Sequence, residues 1–173
     1  YAAIDKLVAD RLYDPLLHVV RNAADHGIES PERRREASKP EAGRITLSAS
    51  QAGSDVRVVV KDDGAGLNRK TILNKARERG LVGPTEEPEP SQLWKVIFEP
   101  GFSTAQGVTK LSGRGVGMDV LNTTMKELRG RISVDSEEGH GTSVSLHIPV
   151  SLAFIDSILL RLGNQLFSVP VED

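Results

Sequence analysis

Between Asp14 and Gly27 the apolar residues Leu16, Val19, Val20 and Ala23 share one side of a helix, and His18, Arg21, Asn22, Asp25 and His26 share the other. Asp14-Pro15 offers an N-cap with proline at the first helical position, and Gly27 offers the stop, so the pattern predicts a helix between them. A weaker helical pattern through Ile4, Leu7, Val8 and Leu12 precedes it. Residues 28–43 are polar and contain proline, which predicts a loop with a short helix. Within it, Glu32-Arg33-Arg34-Arg35-Glu36 reads as a solvated helix face. Arg44–Ser50 and Asp55–Lys61 are alternating or β-branched runs around Ala52-Gly53-Ser54, a hairpin pattern.

Farther on, Arg69–Arg79 predicts a helix that stops at Gly80, and the proline-rich acidic stretch Val82–Ser91 a loop. A helical stretch at Gln92–Phe98 leads into loop-like residues 101–113, followed by a helix over Val116–Leu128. Arg131–Asp135 and Thr142–Ile148 predict a second hairpin, and Pro149 marks a boundary. Beyond it, Ala153–Leu162 and Leu166–Val169 read as a third hairpin around Gly163-Asn164. A buried helix is the alternative for the first of these runs, and periodicity does not decide between them.

The chain has 173 residues, enough for one domain with a real core and short for two. A formal net charge of −2 lacks the basic footprint of a nucleic-acid binder. Without cysteine there is neither a disulfide nor a thiolate metal site. No apolar stretch approaches the roughly 18 residues that a membrane helix needs. The abrupt start at Tyr1 and stop at Asp173 suggest an excised fragment.

Four clusters carry the chemistry, in the order HVVRNAADHG (18–27), DDGAG (62–66), GRGVG (113–117) and GHGT (139–142). His18, Asn22 and His26 fall at i, i+4 and i+8 on one helical stripe, with Asp25 beside them. Alone, the two histidines read as solvent-facing groups; followed by DDGAG and GRGVG, they read as part of a nucleotide site. Asn22 offers a neutral carbonyl to a Mg²⁺ ion shared with a triphosphate, whereas an imidazole such as His26 prefers softer ions. Asp62, at the end of an expected buried strand, can accept a hydrogen bond from the exocyclic amine of adenine, with Gly64 and Gly66 lining the base. Such a bond contributes roughly 1.5–3 kcal/mol. The glycines at 113, 115 and 117 open a helix whose free N–H groups and dipole favour phosphate. Arg114 either adds a charge there or points to solvent. Gly139 and Gly141 are explained by a hairpin turn alone, and Thr142 could still reach the base. GRGVG is not the dinucleotide pattern GxGxxG, and no Gly-Lys-Ser/Thr loop is present, which disfavours both common nucleotide folds.

In this order, HVVRNAADHG resembles the N box, DDGAG the first glycine box, FEPGFST (98–104) the F box, and GRGVG and GHGT the second and third glycine boxes of the Bergerat-fold ATPase and kinase (GHKL) superfamily. DPLLHVVRNAADHGIE (14–29), PGFSTA (100–105) and SGRGVGMDV (112–120) narrow the resemblance to the CheA family of bacterial chemotaxis histidine kinases. The resemblance implies an α/β two-layer sandwich in which helices cover one face of a mixed sheet, and a division into a catalytic domain at 1–149 and, at 150–173, a linker with the truncated first hairpin of a CheW-like regulatory domain.

The resemblance further implies that Asn22, helped by His26, holds Mg²⁺, and that Asp62 reads adenine, with Asp25, Gly64 and Gly66 nearby. Gly113, Arg114, Gly115, Val116, Gly117 and Met118 would cradle the phosphates and Thr142 would border the base. Residues 98–112, with Ser103 and Ser112 among the ATP-binding residues, would form much of a mobile lid. His18 matches a histidine that assists phosphoryl transfer and stands where the ATP-hydrolysing relatives carry a glutamate. That favours transfer to a protein over hydrolysis. The implied partners are a histidine phosphotransfer domain, downstream response regulators and, through the regulatory domain, a CheW-like adaptor and chemoreceptors. The implied location is the cytoplasm, at receptor clusters, with a dimeric full-length protein and a monomeric fragment. No phosphate-binding lysine is assigned; Lys70 and Lys75 are candidates by position. An ATP-hydrolysing relative and a non-catalytic nucleotide-binding scaffold are the rival readings.

Overall fold

The computed structural model describes residues 6–52, 55–102, 118–149, 157–162 and 165–170. Four strands form one sheet: β1 (Ile45–Ala52), β2 (Asp55–Asp62), β3 (Arg131–Glu137) and β4 (Gly141–Pro149), in the order β1-β2-β4-β3. The β1–β2 and β3–β4 pairs are the two predicted hairpins, and β2 joins them by pairing with β4. A mixed sheet is expected from the resemblance; every described pairing is antiparallel, because both hairpins and their junction run that way.

Strand alternation decides which face is buried. Val56, Val58 and Val60 of β2, Val144, Leu146 and Ile148 of β4 and Val134 of β3 all turn inward. The register sets Val58 opposite Leu146 and Val60 opposite Val144. The other face carries Arg57, Lys61, Ser143 and His147, with Arg57 Nη2 donating to the buried Ser145 Oγ at 3.1 Å. Helices cover the apolar face, which gives the expected two-layer sandwich. The helices are α1 (Lys6–Asn22), α2 (Pro31–Glu36), α3 (Arg69–Glu78), the short α4 (Pro90–Leu93) with a 3₁₀ turn at Trp94–Phe98, and α5 (Met118–Glu127), and all but α2 contribute residues to the core. Leu12, Val19, Ile72, Leu93, Trp94, Leu121, Met125 and Leu128 fill the layer between.

Two helix boundaries differ from the sequence pattern. The first helix does not begin at Asp14; it runs unbroken from Lys6 with Pro15 inside it. A proline there removes a backbone hydrogen bond and crowds the preceding turn, at about 3 kcal/mol. Burial of Val8 and Leu12 before it and Val19 after it offsets that cost. The same helix changes pitch after Asn22, and Ala23–Gly27 form a π turn closed by Ile28 N donating to Ala23 O at 2.8 Å. Past Pro149, β5 (Ser157–Leu162) and β6 (Gln165–Pro170) pair antiparallel as a separate two-stranded sheet, so the described part of the first run is a strand and not a helix.

The acidic proline loop is tied to α3: Arg69 Nη2 and Arg77 Nη2 lie 3.2 and 2.8 Å from the Glu87 carboxylate. Arg77 also donates to Glu86 O at 2.8 Å.

Candidate nucleotide-binding site

The inward alternation of β2 ends on a carboxylate. Asp62 follows Val60 on the buried face and is only 6% exposed. Its Oδ1 accepts from Gly64 N at 2.9 Å and from Thr142 N at 3.2 Å. Among the described residues Oδ2 accepts no hydrogen bond, so one lone-pair edge of a buried acid stays available. Burial pushes the Asp62 carboxyl above its ordinary value; the two amides oppose the shift, and Asp63 and Glu29 add to it. This suits an acceptor for a ligand donor that replaces lost solvent.

Three of the four sequence clusters meet around this residue. Gly27, at the end of the π turn, accepts from Ala65 N at 2.8 Å, and a Cβ on Gly64 would sit 2.1 Å from the Gly27 carbonyl oxygen. Gly141 has φ +107°, and a Cβ there would stand 2.2 Å from Asp62 O. These glycines therefore serve first to let segments of the protein touch backbone to backbone. Gly139 N donates to Ala65 O at 2.7 Å, and Leu67 N, just past Gly66, donates to Ser136 Oγ at 2.8 Å. The Thr142 hydroxyl lies 3.0 Å from Ser136 Oγ, while its backbone N–H holds Asp62. Thr142 thus reaches Asp62 through its main chain, while its hydroxyl pairs with Ser136.

The polar stripe of the first helix holds as far as Asn22. His18 and Asn22 are half-buried, whereas Asp25 and His26 lie exposed on the π turn, where the 3.6-residue period no longer applies. The i+8 alignment of His26 with His18 therefore rests on a pitch that the helix abandons. Burial lowers the His18 pKa, Arg21 adds to that, and Asp119 at the start of α5 opposes it, so the imidazole is neutral at physiological pH.

Among the described residues no three His, Asp or Glu groups gather as a metal cage. Asn22 offers one neutral carbonyl, a donor of the kind that a hard cation sharing phosphate oxygens and water accepts.

Ser103, Ser112, Gly113, Arg114, Gly115, Val116 and Gly117 lie outside the described residues; Met118, half-buried, opens α5. Lys75 Nζ stands 5.6 Å from the ring centroid of buried Phe102, as does the Arg79 guanidinium. A groove of about 520 Å³ is lined by residues that include Trp94, Ser136, His140 and Thr142, and Asp62 is not among them.

One group escaped the sequence pattern. Arg34, expected on a solvated face, is fully buried, with its guanidinium 3.1 Å from Glu29 and 3.0 Å from Asp63. Lys39 Nζ lies 2.6 Å from the other Glu29 oxygen. Burial alone would raise Glu29 and Asp63, but Lys39 and Arg34 outweigh it at Glu29, and the Arg44 amide and Arg34 outweigh it at Asp63, so both stay ionised. The available signal was a pair of acids, Asp63 within DDGAG and Glu29 two residues past the first cluster.

The chain is similar to the chemotaxis protein CheA of Bacillus subtilis, 45% identical over 98% of this chain and 25% of that protein. It is similar also to CheA of Salmonella typhimurium, 44% identical over 98% and 25%. The chain thus spans about a quarter of the length of these curated relatives. In structure it resembles the blue-light activated histidine kinase of Erythrobacter litoralis, with TM-score 0.50 and 18% identity over 87% of this chain and 33% of that one, a likeness of fold. The family described as histidine kinase-, DNA gyrase B- and HSP90-like ATPases matches residues 9–152. With that match over most of its length, on the segments that converge at Asp62, the chain belongs to the histidine kinase-, gyrase B- and HSP90-like ATPase family.

Proposed function

We propose that this chain is the ATP-binding catalytic domain of a CheA-type protein-histidine kinase, which passes the γ-phosphoryl of Mg·ATP to a histidine on a separate phosphotransfer domain. The observation that carries the reading is the buried Asp62 carboxylate, held by two backbone amides on one oxygen and open on the other, where the first helix, the DDGAG turn and the GHGT hairpin meet.

In this reading Asp62 accepts the adenine amine, and Asn22 contributes a carbonyl to Mg²⁺, which would neutralise charge on the phosphates. His26, exposed and a poor match for a hard ion, is the weaker ligand of the two. The 113–118 segment would bind the phosphate chain. His18, a neutral imidazole on the same helix face, faces the transferred group and can take or hold a proton there. Most of the rate comes from positioning and charge neutralisation, as is general in phosphoryl transfer. Residues 1–149 form the catalytic domain, and the β5–β6 hairpin opens a regulatory domain of the CheW type. Such a domain would join an adaptor and chemoreceptors at cytoplasmic clusters, with response regulators taking the phosphoryl group onward.

The test mixes this chain with γ-labelled ATP, Mg²⁺ and a phosphotransfer domain from a CheA protein. Label should move to the acceptor histidine, and His18→Ala should keep ATP binding while transfer slows by ten-fold or more. Steady phosphate release without an acceptor would support a hydrolase, and binding without transfer a scaffold; either would overturn the kinase reading.

A further inference from the structure

Behind the DDGAG turn lies a set of ion pairs for which adenine recognition has no direct use. Arg34 spends every part of its guanidinium: Nε donates to Pro40 O at 2.7 Å, Nη1 to Glu29 Oε2 at 3.1 Å and Asp63 O at 3.2 Å, and Nη2 to Asp63 Oδ2 at 3.0 Å. Lys39 Nζ donates to Glu29 Oε1, to Asp63 O at 3.0 Å and to Gly64 O at 2.7 Å. Asp63 Oδ1 accepts from Arg44 N at 2.8 Å. Two cations thus grip two consecutive carbonyls of the turn that follows Asp62.

The consequence lies in one peptide plane. The Asp63–Gly64 peptide is trans, so its carbonyl and its N–H point in opposite directions from a rigid unit. Fixing Asp63 O on Arg34 and Lys39 aims Gly64 N–H the other way, where it donates to Asp62 Oδ1 at 2.9 Å. The rotation of the Asp62 carboxylate, and hence the direction of its open Oδ2, is held by this amide together with Thr142 N, and the first of the two is fixed from behind by Arg34 and Lys39. We propose that Arg34 and Lys39 are positioning residues for nucleotide selection: they orient Asp62 toward the adenine amine and so confer preference for adenine over guanine, which presents a carbonyl at that place. The inference rests on the reading of Asp62 as the adenine acceptor.

Lys39→Met removes one cation and leaves the Arg34–Glu29 pair; Lys39→Arg restores the charge. Calorimetric titration with ATP and with GTP, together with the amide NMR resonance of Gly64, reads the effect. Lys39→Met should weaken ATP binding about ten-fold, leave the weak GTP binding unchanged and move the Gly64 amide resonance, with Lys39→Arg recovering most of each. Arg34→Lys, which keeps charge but loses the fork, should act in the same direction and serves if Lys39→Met does not fold. A folded variant with unchanged ATP affinity, or with ATP and GTP affinity lost in equal proportion, would overturn the positioning role. Asp62→Asn separates the two layers: if it binds ATP normally, the adenine reading itself fails; if it loses ATP while Lys39→Met does not, only the clamp fails.

Discussion

Asp62 sits at a position that the alternation of β2 reserves for valine, and the cost of burying a carboxylate there is visible in its titration. The folded chain holds the Asp62 proton more tightly than the unfolded chain does. Ionised Asp62 therefore subtracts from stability above its folded pKa, and the loss is relieved as pH falls through that value toward the unfolded one. Asparagine keeps a carbonyl for the Gly64 and Thr142 amides but puts a donor where the ligand also donates. Asp62→Asn should thus hold or raise the melting temperature while ATP affinity falls by one to two powers of ten, the worth of a charge-assisted bond of about 1.5–3 kcal/mol. A calorimetric titration beside a thermal melt checks both, and a variant that loses stability and binding together would contradict this account.

At the same scale, Asp62 was legible because an apolar alternating run leads straight into DDGAG. Arg34 was not. Its neighbours Glu32, Arg33, Arg35 and Glu36 give it the local signature of solvent, and its partner Asp63 is 29 residues away. Periodicity registers only what a helix or strand does to its own side chains.

Among the elements, the hairpins and the helices after residue 68 lie close to where pattern places them. Asn68, for example, caps α3 by accepting from Thr71 N at 2.8 Å. The first helix resisted for two reasons, both tertiary. Packing of Val8 and Leu12 overrides the start signal at Asp14-Pro15, and a π turn absorbs the approach of Gly27 to Ala65. The β3–β4 turn looked ordinary, since two glycines suffice to make one; its contact with Asp62 is what makes it part of the site. Gly141→Ala would place a methyl group against Asp62 O in a backbone region disfavoured for alanine. It should cost more than 1 kcal/mol of unfolding free energy and, unlike a distant core variant, weaken ATP in parallel, as denaturant titration and binding assays can show.

For the molecule as a whole, the helical layer covers β2, β4 and β3 more completely than β1. Among the described residues that strand pairs only with β2; it carries no charged residue from Ile45 to Ala52, and Leu47 is 57% exposed. Sheets ordinarily guard such a border with lysine, proline or a bulge, since bare amides and carbonyls invite another strand. Concentrated solutions of the chain should therefore self-associate strand to strand. Leu47→Lys should keep light scattering at the monomer value to several-fold higher concentration; equal scattering from both proteins would show that this border is already safe. That bare border, one strand away from Asp62, would then limit how far the domain can be concentrated alone, and would offer any larger assembly a place to extend the sheet.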